Sequence, residues 1–355
     1  MGSDGEDVLE RIQEDKQRIC SFLDGYLEEW SDEERRWRED SSERLSEMVK
    51  GGKMVRGSLV MLTNEFYGGD NPEDALKAAG AIELLHTGLL MHDDIVDRDE
   101  YRRGMPTFAE QYRKMAEEKD ISEGEHFGTS MAIVAGDISF FVATEILSEL
   151  EAFPEIYRKV NKLVAQEFSR VSLAEQRDIY TGHSQEELEE SEIMELYRDK
   201  TARYTFSLPF SVGAVLAGAE DDRIEDLRQL GEKIGVIYQL KDDELGLFGS
   251  EEKTGKSLGS DLEENKKTLH RLIFLSKLSD ERAEELKEKL RDDLSDRERR
   301  SIVQEMKELD VRSDVREEME RIAEEAREDI ERLNVEEEYR ELLNDLVNYC
   351  LTRKR

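Results

Sequence analysis

The chain has 355 residues, of which 87 are acidic and 52 are basic, so its formal net charge at pH 7 is −35. A surface this acidic repels the phosphates of a nucleic acid and argues against nucleic-acid binding. It also repels itself at low salt, which predicts a strongly screening solvent such as the cytosol of a halophilic archaeon. The sequence has only 4 prolines and 2 cysteines, a composition that favours helices and a reducing compartment.

No stretch of the sequence predicts a membrane span or a secretory leader. The longest uncharged run covers residues 204–219, which is shorter than the ~20 apolar residues that a spanning helix needs. We interpret this run as a buried helix. The first residues lack the basic and apolar regions of a signal peptide, so we expect a cytoplasmic protein without a transmembrane segment.

Apolar residues recur mainly at three- and four-residue spacing, which predicts an all-α protein. Asn71 and Pro72 predict the start of a long helix that ends near Asp97. Other helices are predicted at 7–29, 33–48, 53–67, 107–118, 127–149, 155–180, 186–203, 205–219, 222–247, 265–277, 281–293, 298–309, 312–333 and 335–352. The simplest organisation is one domain over residues 1–355, a single helical bundle with a flexible start over 1–10 and charged peripheral helices over 278–355.

Four pairs of adjacent aspartates occur in the sequence, and their surroundings divide them into two kinds. Two pairs lie in the charged segments AEDDRIED and KLRDDLSDRERR, which are typical of a solvated surface. The other two, Asp93-Asp94 and Asp242-Asp243, end apolar segments, where unpaired carboxylates are costly to bury. Asp97 lies one helical turn after Asp93, and such a cluster suits Mg²⁺ bound together with water and phosphate oxygens. The alternative to a magnesium site is that both pairs are surface acids at capped helix ends.

Basic residues accompany both apolar aspartate pairs, although the chain as a whole is acidic. Lys53 and Arg56 follow two glycines at a predicted helix start, which is a favourable place for an anion. Further basic residues stand after the first pair, in the middle of the chain and around the loop after the second pair: Arg102, Arg103, Lys200, Lys256, Lys266 and Lys267. Each alone is typical of a surface charge, but together they predict two diphosphate pockets beside a magnesium site.

The ordered set of motifs resembles the trans-type polyprenyl diphosphate synthases, in particular the geranylgeranyl diphosphate synthases. From about Gly51 to Thr268 it runs GGKMVR, ELLHTGLLMHDDIVD, RRGMPT, AGDISFF, EQRDIY, KTA, YQLKDD, TGK and SDLEENKKT. The resemblance implies an isoprenoid-synthase helical bundle with a central active-site cavity, and a homodimer. It also implies a magnesium-dependent condensation of isopentenyl diphosphate with an allylic diphosphate.

The resemblance also implies roles for individual residues. It assigns two or three magnesium ions to Asp93, Asp94, Asp97 and Asp242, and catalysis to these residues with Asp243, Lys200 and Gln239. It assigns contacts with the allylic diphosphate to Arg102, Lys200, Thr201, Gln239 and Lys256, with Lys266 near the diphosphates. It assigns the isopentenyl diphosphate site to Lys53, Arg56, His86 and Arg103. The alternative for His86 is a core histidine whose hydrogen bonds are satisfied within the protein and which binds no substrate.

The sequence departs from the family pattern at four positions. Gly246 stands where many members have a further aspartate, so we expect altered metal binding. Gly57 stands in place of a common proline, Glu175 in place of a common glycine, and Asn265 in place of the glycine before a lysine. These last three put the local loop shape in question.

Product length depends on the residues beneath the first aspartate pair. Gly88 and Leu89 lie about one turn below Asp93, and Leu85 lies about two turns below. Members of this family that stop at 15 carbons commonly carry an aromatic floor at the positions of Gly88 or Leu89. Since neither residue is aromatic and Gly88 is expected to leave the cavity open, we expect a 20-carbon product, with 25 carbons as the alternative.

Three other functions compete with this interpretation. The first is a non-catalytic partner subunit of the same fold, which Gly246 favours and the intact first aspartate motif disfavours. The second is a class I terpene cyclase, which would lack the predicted isopentenyl diphosphate site. The third is an acidic helical scaffold, which the apolar surroundings of both aspartate pairs argue against.

Overall fold

A computed structural model of the chain describes residues 6–31, 36–249, 259, 262, 264–290 and 294–354. These residues are helical almost throughout, which confirms the all-α prediction. In chain order the helices are α1 Glu6–Ser31, α2 Arg36–Lys50, α3 Val55–Phe66, α4 Pro72–Val96, α5 Phe108–Glu118, α6 Gly124–Ser148, α7 Pro154–His183, α8 Glu190–Tyr197, a π-helix Arg198–Ser207, α9 Leu208–Leu216, α10 Asp221–Phe248, α11 Leu269–Lys277, α12 Asp280–Lys289, α13 Asp296–Glu308, α14 Val311–Arg332 and α15 Glu337–Thr352.

Most predicted helix bounds agree with these within a few residues, and the exceptions have local causes. The helix expected from residue 265 begins at Leu269, with Thr268 as its cap accepting from the amide of Arg271. The break expected near residue 204 is absent, because a π-helix joins α8 to α9 without interruption. Most of the predicted loop 249–264 and the end of the helix predicted over 281–293 lie outside the described residues.

A two-stranded hairpin follows α4, and the sequence did not predict it. Strand β1 (Tyr101–Arg102) pairs antiparallel with β2 (Met105–Pro106). Its two turn residues, Arg103 and Gly104, have φ angles of 55° and 78°. Positive φ at both turn positions matches the right-handed twist of the strands, so this tight turn fixes the direction of the two arginines.

The contacts between elements divide the chain into two compact units. One unit comprises Leu9–Lys162 and Val212–Ala219. Within it α4 packs against α3 and α6, and α6 also packs against α5. Helix α6 is long and apolar enough to cross a membrane by length and composition alone, and it packs against α4 and α5 within this unit.

The other unit comprises Leu163–Ser211 and Glu220–Arg355. Helix α10 packs against the π-helix, α14 and α15. A Cβ atom at Gly235 would lie 2.3 Å from the Cα atom of Ala202, so glycine is required where α10 crosses the π-helix. The highly charged C-terminal helices bury an apolar face, with Leu286, Met306 and Val311 packed in one cluster. The prediction of a single domain stays a prediction.

The aspartates in charged surroundings behave as expected where the structure describes them. Asp221 and Asp222 are exposed in the first turn of α10, where negative charge favours the helix dipole. Asp292 and Asp293 lie outside the described residues.

Candidate functional site

The first aspartate cluster lies at the C-terminal end of α4. Asp93 and Asp97 are partly exposed and stand one turn apart, with the Asp97 amide donating to the Asp93 carbonyl at 2.8 Å. Asp94 differs from both, because its side chain is only 1% exposed and forms an ion pair with Arg102 of the hairpin. The side chains of Asp93 and Asp97 therefore remain partly accessible to solvent, while Asp94 holds Arg102 in place.

Arg102 remains charged in this position. Burial of its guanidinium opposes the charge, but the Asp94 carboxylate and the nearby Asp93 raise the pKa of Arg102 above its ordinary value. A second carboxylate, Asp99, lies 3.6 Å from the Nη2 atom of Arg102. The hairpin thus fixes one permanent positive charge next to the first aspartate cluster.

A second group of basic residues, the cationic cluster, comprises Lys53, Arg56 and Arg103. A Cβ atom at Gly52 would lie 3.2 Å from the Nη1 atom of Arg103, so glycine lets the hairpin tip approach the start of α3. Arg56 lies in the first turn of α3, as predicted, and Lys53 is exposed just before it. The structure therefore brings together residues that are about fifty positions apart in the sequence.

His86 lies beneath the cationic cluster and is 9% exposed. Burial, and then the positive charges of Arg56 and Arg103, hold the pKa of His86 well below its ordinary value. The imidazole is therefore neutral at pH 7, so it can accept or donate a hydrogen bond without adding charge.

Glu83 explains one departure from the family pattern. Its Oε1 atom accepts a hydrogen bond from the backbone amide of Gly57 at 2.8 Å. A proline at position 57 has no N–H to donate. Burial raises the pKa of Glu83, although the nearby Arg56 and the Gly57 amide oppose that rise. Glycine at this position therefore supplies the donor that the buried Glu83 side chain accepts.

In the second aspartate cluster, at the end of α10, the two aspartates have different partners. Asp243 is buried, and its two oxygens accept hydrogen bonds from Tyr197 and from the Nε2 atom of Gln239, the latter at 2.7 Å. The Oε1 atom of Gln239 in turn accepts from the hydroxyl of Thr201 at 2.5 Å. Asp242 is 59% exposed and pairs with Arg353. Asp243 is thus built into a hydrogen-bond chain, whereas Asp242 points toward solvent.

Lys200 lies in the π-helix and contacts two carboxylates of α7. Its ammonium forms an ion pair with Asp178 and lies 2.9 Å from an Oε2 atom of Glu175. Burial opposes its charge, but Asp178 and Glu175 raise the pKa of Lys200, so the side chain stays protonated. Widened helical turns of this kind occur frequently at functional sites.

The loop after α10 is described only in part. Lys256 lies outside the described residues, while Lys266 forms an ion pair with Glu264. Asn265 has a φ of 51°, a left-handed conformation that glycine adopts freely and that asparagine tolerates better than most residues. Its Nδ2 atom donates to the Gly182 carbonyl at 2.9 Å. Asn265 can therefore replace the glycine that is common at this position.

The carboxylates present fit magnesium. Among the described residues no three carboxylate, imidazole or thiol side chains converge on one point as a preformed metal cage. Magnesium does not require one, since it usually keeps several waters and binds through one or two carboxylates plus phosphate oxygens. Asp93 with Asp97, and Asp242 in the other unit, offer oxygen ligands of this kind.

The expectation that Gly88 leaves an open cavity is wrong. A Cβ atom at Gly88 would lie 2.5 Å from the Cε1 atom of Phe140, so the ring of this α6 residue fills the space. Leu89 is partly buried and Leu85 is 7% exposed. An aromatic side chain therefore stands beside Gly88 after all, but a different helix supplies it.

Sequence reasoning missed four residues of this arrangement: Arg353, Asp178, Tyr197 and Phe140. Asp178 and Phe140 lie within the motifs EQRDIY and AGDISFF, which were noted without a role for either residue. Arg353 and Tyr197 touch the second aspartate cluster from distant parts of the chain. The C-terminal segment LLNDLVNYCLTRKR, which contains Arg353, weakly resembles the family, but neither residue was given a role.

Comparison with known proteins gives concordant matches. Residues 39–307 match the family model described as polyprenyl synthetase. The chain is 35% identical over 247 residues to a short chain isoprenyl diphosphate synthase of Methanothermobacter thermautotrophicus, an alignment that spans 69% of each chain. It is 35% identical over 219 residues to a geranylgeranyl diphosphate synthase of Methanosarcina mazei, with 62% of each chain spanned. These alignments thus cover roughly two thirds of the relatives' length.

Solved structures match over nearly the whole chain. A geranylgeranyl pyrophosphate synthase from Corynebacterium glutamicum, complexed with isoprenyl diphosphate and magnesium, superposes with a TM-score of 0.86 at 26% identity. That match covers 96% of this chain and 98% of the other. A geranylgeranyl pyrophosphate synthetase from Pyrococcus horikoshii superposes with a TM-score of 0.79 at 27% identity and covers 99% of this chain.

Proposed function

The chain belongs to the polyprenyl synthetase family and is a prenyltransferase of isoprenoid biosynthesis, and we propose that it makes mainly 20-carbon geranylgeranyl diphosphate. The substrates would be isopentenyl diphosphate and an allylic diphosphate, joined into a linear all-trans chain. The pairing of fixed cations with aspartate clusters in a chain of net charge −35 carries the assignment of the reaction. The 20-carbon length is supported by the similarity to geranylgeranyl diphosphate synthases, because the Phe140 ring beside Gly88 removes the argument from an open cavity.

We assign the allylic diphosphate to the first aspartate cluster and to Arg102. Magnesium, when bound at Asp93 and Asp97, would offset the negative charge of the diphosphate. Asp94, predicted as a further magnesium ligand, would act by positioning instead, since its buried carboxylate is paired with the Arg102 guanidinium. A preoriented cation needs little reorganisation when charge develops on the leaving diphosphate.

We assign isopentenyl diphosphate to the cationic cluster of Lys53, Arg56 and Arg103. Arginine binds diphosphate oxygens in a two-pronged geometry, and two of the three residues are arginines. The neutral His86 beneath them can donate a hydrogen bond to the same anion.

In the other unit, taken by itself, we assign diphosphate binding to Lys200, Thr201 and Gln239, and a metal contact to Asp242. Lys266 would add positive charge near the diphosphates, and the same role for Lys256, which lies outside the described residues, stays a prediction. Asp243 would act by orienting Gln239, to which it is hydrogen-bonded at 2.7 Å. We propose two or three magnesium ions per site, with Gly246 lowering the affinity of one of them, because glycine supplies no carboxylate.

The chemistry that these residues support is a dissociative alkylation. The bond from C1 of the allylic substrate to its diphosphate breaks, and the cations around the leaving group stabilise the negative charge that it acquires. The double bond of isopentenyl diphosphate attacks the allylic cation and forms the new carbon–carbon bond. The released diphosphate then takes the proton that restores a double bond, so no side-chain base is required.

We also propose a homodimer that works in a salt-rich cytoplasm. Three apolar side chains of α6 are exposed: Ile133 by 45%, Val134 by 54% and Phe141 by 72%. Apolar side chains on one helix face, in a chain with such a charged surface, are typical of a covered interface. Light scattering in high potassium chloride would give twice the chain mass of 41.2 kDa, and a Phe141→Lys variant should lower it.

The test of the proposed function is a product assay with a matched pair of variants. Protein in potassium chloride and magnesium receives isopentenyl diphosphate with dimethylallyl, geranyl or farnesyl diphosphate, and the dephosphorylated products are sized by chromatography. A ladder that ends at 20 carbons supports the proposal, and one that ends at 25 carbons supports a geranylfarnesyl diphosphate synthase instead. A ladder that ends at 15 carbons would contradict the proposed length and leave the prenyltransferase assignment intact. No elongation by folded protein would favour a non-catalytic subunit.

Two double variants distinguish the loss of the first aspartate cluster from the loss of negative charge in general. Changing both Asp93 and Asp97 to asparagine should lower turnover by roughly a thousandfold or more, since metal and phosphate contacts are lost together. Changing both Asp221 and Asp222 to asparagine removes the same charge from an exposed pair and should leave turnover unchanged. Equal activity of the two variants would contradict the assignment of the first cluster.

A further inference from the structure

The ring of Phe140 occupies the place where a side chain at position 88 would stand. A Cβ atom at Gly88 would lie 2.5 Å from the Cε1 atom and 2.8 Å from the Cδ1 atom of this ring. Contacts this short do not occur for real Cβ atoms, so no other residue fits at position 88 unless the ring moves. The glycine is buried within α4, five residues before Asp93.

The ring has little freedom to move, because α4 and α6 interlock around it. The edge of the His92 ring meets Phe140 at a centroid distance of 5.4 Å and an interplanar angle of 82°. His92 itself fills the space above Gly136, where a Cβ atom would lie 2.4 Å from its Nε2 atom. Gly88 of α4 therefore packs against the Phe140 ring of α6, and Gly136 of α6 packs against the His92 ring of α4.

A hydrogen bond one turn further down fixes the same pair of helices. The hydroxyl of Ser139, next to Phe140 in α6, donates to the Leu84 carbonyl of α4 at 2.8 Å. Both groups are buried, where an unpaired hydroxyl would be costly. The backbone that carries Phe140 is thus held in register against α4.

The depth of the ring relative to the aspartate cluster follows from helix geometry. Five residues at ~1.5 Å each place Gly88 about 7.5 Å from Asp93 along α4. The Phe140 ring is only partly buried, so part of its surface is not covered by the described residues of the protein. Leu89, also partly buried, lies on the Asp93 face of the same helix.

We propose that Phe140 is a specificity-determining residue that limits the length of the prenyl product. This inference rests on the proposed function, since it requires a chain that grows away from a diphosphate held at Asp93. The growing apolar end advances along α4 and meets a ring that His92, Gly88 and the α4–α6 interlock hold in place. Further elongation would require moving that ring out of a packed position, which is costly.

The experiment compares product lengths of Phe140→Ala and Phe140→Leu with those of the unaltered protein. Removing the ring takes away the side chain that fills the space next to Gly88. We expect the ratio of longer products to the original main product to rise by roughly tenfold or more for alanine, and by less for leucine. The first condensation, measured with dimethylallyl diphosphate over a single turnover, should change less than about threefold, because the residues assigned to the diphosphates are untouched.

Phe127→Ala is the matched control. Phe127 lies on the same helix and packs edge-to-face on Tyr112 at 6.5 Å, about 20 Å from Phe140 along α6 at ~1.5 Å per residue. The Phe127→Ala variant loses the same kind of ring from the same helix. It therefore reveals any effect on product length that comes from weaker packing of α6 in general. Its product lengths should equal those of the unaltered protein.

The outcomes distinguish this inference from the proposed function. Unchanged product lengths in folded, active Phe140→Ala or Phe140→Leu protein would overturn the role of Phe140 and leave the prenyltransferase assignment intact. Lengthening in Phe127→Ala as well would also overturn it, since the effect would then be general loosening. The leucine variant decides the matter if the alanine variant does not fold. No elongation even by the unaltered protein would overturn the proposed function, and this inference with it.

Discussion

The Nη2 atom of Arg353 lies 2.7 Å from the Oδ1 atom of Asp242, so the C-terminal segment reaches the second aspartate cluster. The same Nη2 atom donates to the Tyr238 carbonyl at 3.0 Å, and the guanidinium lies 3.8 Å from the centroid of the Tyr238 ring. Burial opposes the charge, but Tyr238 and Asp242 raise the pKa of Arg353. A carboxylate that we assign to metal binding therefore already has a permanent cation beside it.

This pairing predicts that Arg353 competes with magnesium for Asp242. Since Asp242 is 59% exposed, solvent screens the pair, and it contributes about 1 kcal/mol or less. An Arg353→Gln variant should therefore reach half-maximal activity at a magnesium concentration about two- to fivefold lower. The measurement is a magnesium titration of activity at constant ionic strength.

Lys354→Gln is the control for this titration. It removes one positive charge from the neighbouring, exposed position and should leave the magnesium midpoint unchanged. A midpoint that rises in Arg353→Gln would contradict competition, and would instead indicate that the arginine assists the bound diphosphate.

The burial of His270 predicts that the folded protein loses stability on acidification. The ring is fully buried, and burial lowers the pKa of His270 to about 4, with Glu244 raising it and Arg312 lowering it further. Unfolded histidine titrates near pH 6.5, so between about pH 6.5 and 4 the unfolded chain binds a proton that the folded chain does not. Stability must fall as the pH decreases through this window, by about 2 kcal/mol from pH 7 to pH 5.

Replacing His270 with leucine tests this. Among the described residues neither ring nitrogen of His270 has a hydrogen-bond partner, so an apolar side chain of similar size loses no bond there. In urea unfolding at constant salt, His270→Leu should lose about 2 kcal/mol less than the unaltered protein between pH 7 and pH 5. The exposed His126→Leu serves as control, and equal pH dependence in all three proteins would refute the role of His270.

Sequence reasoning located the helices and the chemistry-bearing segments because their signals are local. The cap at Asn71, whose Oδ1 atom accepts from the Asp74 amide at 3.1 Å, is a local feature and is confirmed. So are the basic residues at the start of α3 and the buried run that contains α9. Apolar spacing also predicted α4, which carries the first aspartate cluster.

What the sequence could not supply are contacts between distant segments. Phe140 and Gly88 are 52 positions apart, and the meeting of ring and glycine depends on how closely α6 approaches α4. Arg353 and Asp242 are 111 positions apart, and nothing near either residue indicates the other. The π-helix was also missed, since its residues were divided between two ordinary predicted helices, 186–203 and 205–219, and no local signal marks its wider turns.

The contact of Lys200 with Glu175 predicts that one departure from the family pattern weakens substrate binding. Lys200 has two carboxylate partners, Asp178 and Glu175, so the group carries a net negative charge before any diphosphate arrives. A Glu175→Gln variant removes one of these charges and leaves Asp178 to hold the lysine. We expect KM for the allylic diphosphate to fall about two- to fivefold while kcat stays nearly constant, because partly exposed charges interact by about 1 kcal/mol or less.

Salt and a matched variant separate this effect from a change in overall charge. Glu155→Gln removes a charge from the exposed first turn of the same helix and should leave KM unchanged. The difference between Glu175→Gln and the unaltered protein should shrink when potassium chloride is raised from about 0.1 M to 1 M, since the screening length falls from roughly 10 Å to 3 Å. A KM that rises in Glu175→Gln would contradict this prediction. It would show that Glu175 is needed to orient Lys200, and that this effect outweighs any repulsion between Glu175 and the diphosphate.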